Sequence, residues 1–372
     1  MISSIDVDDV LELGDGCALV VFTVNTADGA RERYLDVRGE VGGPLLQRLC
    51  DGGGQGDFAF LPAVGLTPPA GPGRSLEADQ SNTSLVVDER WVVKLYRRLH
   101  PGVHPEVELV AHLSRDGLEF VPAYGGSVSW DGHAVALVQA FVPGATDGWA
   151  WAEGAATRGE LGAMGALGEQ TARMHRALAE LGVAPADPGE RARWVQEADA
   201  QFDRALSLLD ADDLAQVRPH IATVREELAN LATAGEATLQ RVHGDYHVGQ
   251  VLMAPAGLRV IDFEGEPTKS VAERRLPGCP LRDVAALLRS LDHLIRHVER
   301  DVRPGYLAAY EAWMDQARAS FLEGYGPVDP GLLRAFEVEK ETYEFVYART
   351  FLPEWTHVAV AGMGWLMGDR AA

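Results

Sequence analysis

Two acids delivered by neighbouring short apolar runs dominate the chemistry that this sequence can carry. The segment Arg241-Val242-His243-Gly244-Asp245-Tyr246-His247-Val248-Gly249-Gln250 is followed, after a short turn, by Leu258-Arg259-Val260-Ile261-Asp262-Phe263-Glu264. Transfer of a phosphoryl group to a hydroxyl needs such a pair. One carboxylate aligns the hydroxyl and accepts its proton, while the other holds the Mg²⁺ that neutralises the phosphates. Kinases pair H-x-D, with an amide five residues beyond the Asp, with a later D-F-G. Here His243-x-Asp245 has Gln250 at that spacing, and Asp262-Phe263-Glu264 stands where D-F-G would. The pattern makes Asp245 the expected catalytic base, and Gln250 and Asp262 the expected magnesium ligands. Two other readings stay open on these residues alone. They are turn and capping residues of a hairpin, or His-x-Asp-x-His is a hydrolytic metal site on one strand face. The second leaves Asp262 and an upstream lysine unexplained.

That lysine is Lys94, in the middle of Trp91-Val92-Val93-Lys94-Leu95-Tyr96. A central lysine in an apolar strand demands partners, because an unpaired buried ammonium is costly. Nucleotide phosphates and a carboxylate from the next helix would serve. Glu106 and Glu108 are the candidates, and Glu108 is the expected one, since an acid closer to the helix start merely favours the dipole. Upstream, Ser81, Asn82 and Thr83 form a turn whose small polar groups suit phosphates. The absence of any G-K-[ST] excludes a P-loop. Gln139, Phe141 and Val142 end the β-rich half, where a bilobal kinase would hold adenine through its backbone. Asp283 is expected to brace the catalytic loop or to cap its own helix.

The elements that must position these groups follow from pattern. Residues 17–37 read as a hairpin turning at Ala27-Asp28-Gly29. Gly/Pro-rich punctuation ends near residue 73. Strands are expected at Ser84–Val87, Trp91–Tyr96, Ser127–Trp130 and Ala134–Phe141, with a helix at Pro105–Arg115 among them. Beyond Pro143-Gly144 the sequence turns helical, and Val284, Leu287, Leu288, Leu291, Ile295 and Val298 mark one face of a helix over 281–298. Three regions result: 1–73 as a cap, 74–143 as a β-rich lobe with its hinge, and 144–372 as a mainly helical lobe. Near the C-terminus, Glu337, Glu341 and Glu344 line one helix face. That row is a solvated face or a surface for sugar hydroxyls or an amine. Trp355, with Trp149 and Trp151, is core or stacks on a ring.

With 372 residues the chain has room for more than one core, as single cores stop growing near ~250–300 residues. A net charge of −22 argues against nucleic acid and anionic membranes as partners. Three scattered cysteines, an acidic start without an apolar core and no spanning apolar run make a cytoplasmic protein the expectation.

The strings VHGDYHVGQVL, IDFEGEP, ERRLPGCPLRDVAALLRS and FEVEKETYEFVY with PEW resemble the actinobacterial maltokinase-like family over roughly 75–360. Its members include maltokinases and glucosamine kinases, related to aminoglycoside phosphotransferases. The resemblance implies an α+β, bilobal protein-kinase-like fold with a β-rich N-terminal cap, and ATP and Mg²⁺ as cofactors. By the same resemblance Lys94 and Glu108 form the lobe-bridging pair. His243, Tyr246, Glu337, Glu341, Glu344 and Trp355 are the candidate sugar contacts. The compact cap, Tyr246 and the form of Phe351-Leu352-Pro353-Glu354-Trp355 look more like the glucosamine kinase branch, with glucosamine 6-phosphate as product. Phosphorylation of maltose or an aminoglycoside, and a non-catalytic kinase-like binder, are the alternatives.

Overall fold

The structure is a computed structural model that describes residues 1–14, 16–76, 82–115 and 118–370. It divides into two compact units. One is Met1–Ala145 with the returning segment Ala254–Glu264; the other is Thr146–Met253 with Gly265–Ala372.

In the first unit, β1 (Ile2–Gly14), β2 (Cys17–Thr26) and β3 (Arg31–Arg38) form an antiparallel meander. The expected 17–37 hairpin is its second half. After α1 (Gly42–Asp51) come β4 (Gly53–Gln55), β5 (Phe58–Pro62), β6 (Arg74–Leu76), β7 (Asn82–Val87), β8 (Trp91–Tyr96) and β9 (Arg98–Leu99). Helix α2 (Pro105–Leu113), β10 (Tyr124–Trp130) and β11 (His133–Ala140) complete it. A seven-stranded sheet runs β4-β5-β10-β11-β8-β7-β6, and β9 pairs with β3 beside the meander. Residue 73 is therefore not a structural boundary. Strands β4 and β5 belong to the same sheet as Lys94, because β10 has a free edge that Phe58–Pro62 can pair with. The segment 254–264 is tied in by the Val260 N–H donating to Phe120 O at 2.7 Å.

The second unit is helical: α3 (Gly148–Arg158), α4 (Met164–Ala179), α5 (Pro188–Leu208), α6 (Ala211–Val217), α7 (Ile221–Thr233), α8 (Val271–Arg274), α9 (Leu281–His297), α10 (Leu307–Tyr325), α11 (Pro330–Phe351) and α12 (Thr356–Leu366). Helix α9 is buried nearly all round and carries Arg289 and Asp292 into the core. Helix α11 starts where Asp329 accepts the Leu332 N–H at 2.7 Å and Pro330 takes the first turn. Among the described residues no helix is long and apolar enough to cross a membrane.

Candidate active site

The groups expected to act on a nucleotide come together in the first unit. Strand β8 sits between β7 and β11, so Lys94 is flanked by Ser84 and Leu137 in register. Its Nζ lies 2.7 Å from Asp262 Oδ1, 3.0 Å from Glu106 Oε2 and 2.5 Å from Glu264 Oε1. Burial works against the charge of Lys94. The Glu106, Asp262 and Glu264 carboxylates outweigh it and hold the ammonium well above the usual lysine range. Burial pushes Glu106 up to about 8 despite Lys94, with Glu264 and Asp262 adding to the rise.

Helical periodicity corrects the expected partner. Glu106 shares the inward stripe of α2 with Leu109, Val110 and Leu113, whereas Glu108 lies on its half-buried flank. Glu106 thus reaches Lys94, and its Oε2 also accepts the Tyr96 hydroxyl at 2.9 Å. That stripe was readable in the sequence. Strand alternation sorts the turn residues in the same way. Asn82 Nδ2 donates to Glu264 Oε1 at 2.7 Å, while Thr83 turns to the other face, where its hydroxyl accepts from Arg97 Nε at 3.0 Å. Thr83 therefore drops out as a phosphate contact, and Ser81 lies outside the described residues. Glu264, to which the sequence pattern gave no role, joins the cluster. In the hinge, Gln139 is a buried strand residue paired with Val92. The Phe141 N–H donates to Arg90 O at 2.8 Å, and Val142 follows it half-buried.

Asp262 adopts φ 65, a left-handed conformation that is uncommon outside glycine and frequent at functional positions. Oxygens of Glu106, Asp262 and Glu264 all lie within 4.8 Å of one another. Three carboxylates around a single ammonium leave negative charge in excess. A hard, all-oxygen donor set of this kind suits Mg²⁺.

The residues expected to activate a hydroxyl lie in the second unit. The loop carrying Asp245 is fixed from behind by Asp283, whose carboxylate accepts the His243 N–H at 2.8 Å and the Gly244 N–H at 2.9 Å. The same carboxylate meets His175 Nε2 at 3.0 Å, and His175 Nδ1 meets the Tyr325 hydroxyl at 2.9 Å. Gly244, at φ 86, supplies the left-handed turn. Further along, Val248 N–H donates to Ser290 Oγ at 3.0 Å. A Cβ on Gly148 would stand 2.2 Å from Val248 O, so only glycine lets α3 approach the loop. Asp245 emerges into a cavity of about 260 Å³ with His247, Trp149, Lys340, Tyr343, Glu344, Tyr347 and Trp355 in its wall. Gln250 closes a short 3₁₀ turn, Val248–Gln250, half-buried.

Asp283 is buried, which opposes its ionisation, but His175, His243 and Gly244 hold its carboxyl below the ordinary range. A depressed carboxylate contributes stability above the unfolded value, and that stability is lost as pH falls through the folded one. Asp283→Ala strands the buried His243 N–H, the part-buried Gly244 N–H and an imidazole. It is expected to lower unfolding free energy by about 2–4 kcal/mol in a urea titration at neutral pH, with a smaller deficit in acid.

Several candidate sugar contacts are taken by the core instead. Tyr246 is wholly buried with its hydroxyl 2.9 Å from Thr171 Oγ1, and His243 is buried beside it at 5.2 Å between rings. Glu337 is held by Arg318 at 2.6 Å, and Glu341 by Arg289 at 2.7 Å. These acids point into the helix packing, where desolvated arginines from α9 and α10 require them. Only Glu344 of the acidic row, with Trp355, reaches the cavity. Pattern reasoning passed over Lys340 and His293, and weighed His247 only as a metal ligand. The i, i+4 spacing of Lys340 and Glu344 was a usable signal, since such pairs meet on one helix face.

Comparison with known proteins places this geometry. Residues 73–323 match the phosphotransferase enzyme family. A glucosamine kinase of Streptacidiphilus jiangxiensis is 33% identical, the match covering 98% of this chain and 91% of that protein. A glucosamine kinase of Mycolicibacterium smegmatis (strain ATCC 700084 / mc(2)155) is 28% identical, covering 97% and 98%. Among solved structures, a glucosamine kinase in complex with glucosamine, ADP and inorganic phosphate superposes with a TM-score of 0.81 at 29% identity, over 98% of this chain and 94% of that one. With two thirds of its length matched and a relative similar from end to end, the chain belongs to the phosphotransferase enzyme family, in its protein-kinase-like fold.

Proposed function

We propose that this protein is an ATP- and Mg²⁺-dependent glucosamine kinase that forms glucosamine 6-phosphate. The observation that carries the reading is the cavity in which Asp245 and Glu344 stand together. One carboxylate suits a hydroxyl, the other an ammonium, and charge-assisted hydrogen bonds are about twice as strong as neutral ones. At about 260 Å³ the cavity falls below the roughly 300–1,000 Å³ of drug-sized ligand sites, which fits a single sugar ring. The resemblance to glucosamine kinases along the full chain supports the same acceptor.

In this reading Asp245 accepts the proton of the 6-hydroxyl as its oxygen bonds to the γ-phosphorus, and the bond to the β-phosphate oxygen breaks to release ADP. Lys94, steadied by Glu106, positions the phosphates. Asp262 would hold Mg²⁺, which offsets phosphate charge when bound. Trp355 meets Trp149 edge-on, with ring centres 5.8 Å apart, and both rings line the cavity as apolar surface for the sugar.

The test is ADP release with ATP·Mg²⁺ and glucosamine, glucose, N-acetylglucosamine, maltose and one aminoglycoside. Turnover on glucosamine is expected to exceed that on glucose by roughly tenfold or more, the worth of one good charge-assisted contact. Preference for maltose, or silence on every sugar, would overturn the acceptor.

A further inference from the structure

Helix α9 ends in a wide turn that phosphoryl transfer, as derived above, does not use. Over Val298–Val302 the backbone opens into a single π-helical turn, closed where the Arg303 N–H donates to Val298 O at 2.8 Å. Such turns are rare, and frequent at functional sites. Contacts from this end of α9 reach two elements that build the acceptor cavity. The His297 imidazole is stacked on the Trp355 indole, with ring centres 5.3 Å apart and planes 10° from parallel, and its centre stands 6.1 Å from that of Trp149. Arg300 donates to Glu354 O at 3.2 Å, one residue before Trp355. Arg303 donates to Thr157 O at 3.2 Å, in α3, the helix that carries Trp149. Trp149 and Trp355 line the cavity, while His297 stands outside its wall.

Trp355 closes a short 3₁₀ turn, Pro353–Trp355, and the chain leading into it is poorly covered: Phe351 is 58% and Leu352 38% exposed. The Trp355 N–H donates to Leu352 O at 2.8 Å, which shapes the turn but ties it to no other helix. The stacked imidazole and the Arg300 hydrogen bond make that tie, to α9. We propose, on the glucosamine reading, that His297 is a positioning residue for the acceptor: it fixes the Trp355 indole in the cavity wall before the sugar arrives. The imidazole is itself held, with Nδ1 3.1 Å from Asp301 Oδ2 one turn further on. An indole fixed in advance has already lost its side-chain freedom, so binding does not bear that cost. The wall meets the apolar face of the sugar and not the hydroxyl that reacts. It therefore holds ground state and transition state alike, and its disturbance shows in KM rather than in kcat.

The experiment measures kcat and KM for glucosamine in the wild type, in His297→Ala, His297→Phe, Arg300→Ala and Trp355→Ala, and in the double variant of His297→Ala with Trp355→Ala. Thermal melts confirm folding. His297→Ala is expected to raise KM about three- to tenfold, the worth of one aromatic pair, with kcat held within about twofold. His297→Asn checks the same outcome should the alanine variant fold poorly. His297→Phe keeps a ring on Trp355 and should bring KM back to within about twofold of wild type. Arg300→Ala, which releases the turn before Trp355, should raise KM by about two- to threefold. With Trp355→Ala already in place, His297→Ala should add little, because a residue that acts through the indole has nothing left to position. An unchanged KM in His297→Ala, a phenylalanine variant no better than alanine, or two single effects that multiply in the double variant would overturn the inference. A wild type silent on glucosamine would overturn the acceptor reading itself, and the role of His297 with it.

Discussion

An Asp245→Asn enzyme is expected to lose roughly two to four orders of magnitude in kcat for its sugar while still binding ADP, the usual yield of a positioned general base. The substitution keeps size and hydrogen-bonding reach but removes the proton acceptor. Nothing else in the loop should collapse, because its shape is set from behind: Asp283 holds the His243 and Gly244 amides, and Ser290 holds Val248. The KM for the sugar should change much less than kcat, since Glu344 and the aromatic wall remain. Isothermal titration with ADP and a steady-state ADP-release assay separate the two quantities. Loss of nucleotide binding together with a high residual rate would show that Asp245 is not the base.

Asp262→Ala should bring turnover down by at least roughly three orders of magnitude, with no recovery in excess Mg²⁺, because a phosphate-bound ion contributes several kcal/mol to the transition state. Folding is expected to survive. Lys94 keeps Glu106 at 3.0 Å and Glu264 at 2.5 Å as counter-charges, so its ammonium is not left bare. The left-handed backbone at residue 262, φ 65, becomes more strained with alanine, and Asp262→Asn serves as the control that tolerates this conformation. An Asn variant as inactive as the Ala variant assigns the loss to the carboxylate charge rather than to backbone strain. Undiminished turnover of Asp262→Ala in high Mg²⁺ would remove the metal role.

What could be read from the chain depended on how local the determinant was. Lys94 announced itself because an ammonium inside Trp91–Tyr96 contradicts its surroundings, and contradiction of that kind is visible one residue at a time. The Asp245 and Asp262 segments were legible for the same reason, as acids at the ends of apolar runs. Glu106 was within reach of periodicity alone, as the inward stripe of α2 shows, but the argument from the helix dipole pointed to Glu108. Glu337 and Glu341 could not be separated from Glu344 by spacing, because all three fall on neighbouring faces of one long helix. Arg318 and Arg289, on α10 and α9, decide which of them is structural.

The sequence by itself determined the fold class and the β-rich and helical halves, and it singled out Asp245 and Asp262 as candidates, since these follow from residue type, period and short spacing. Tertiary structure decided the rest. It took β4 and β5 out of the expected cap and added them to the Lys94 sheet, because strand edges pair with whatever reaches them. It assigned Ala254–Glu264, and with it Asp262, to the first unit. It also brought Glu344 and Lys340 into the wall of the cavity that Asp245 enters. Burial and ion pairing between distant helices are long-range quantities, and no local pattern encodes which of several equivalent acids will meet a partner and which will be left for a substrate.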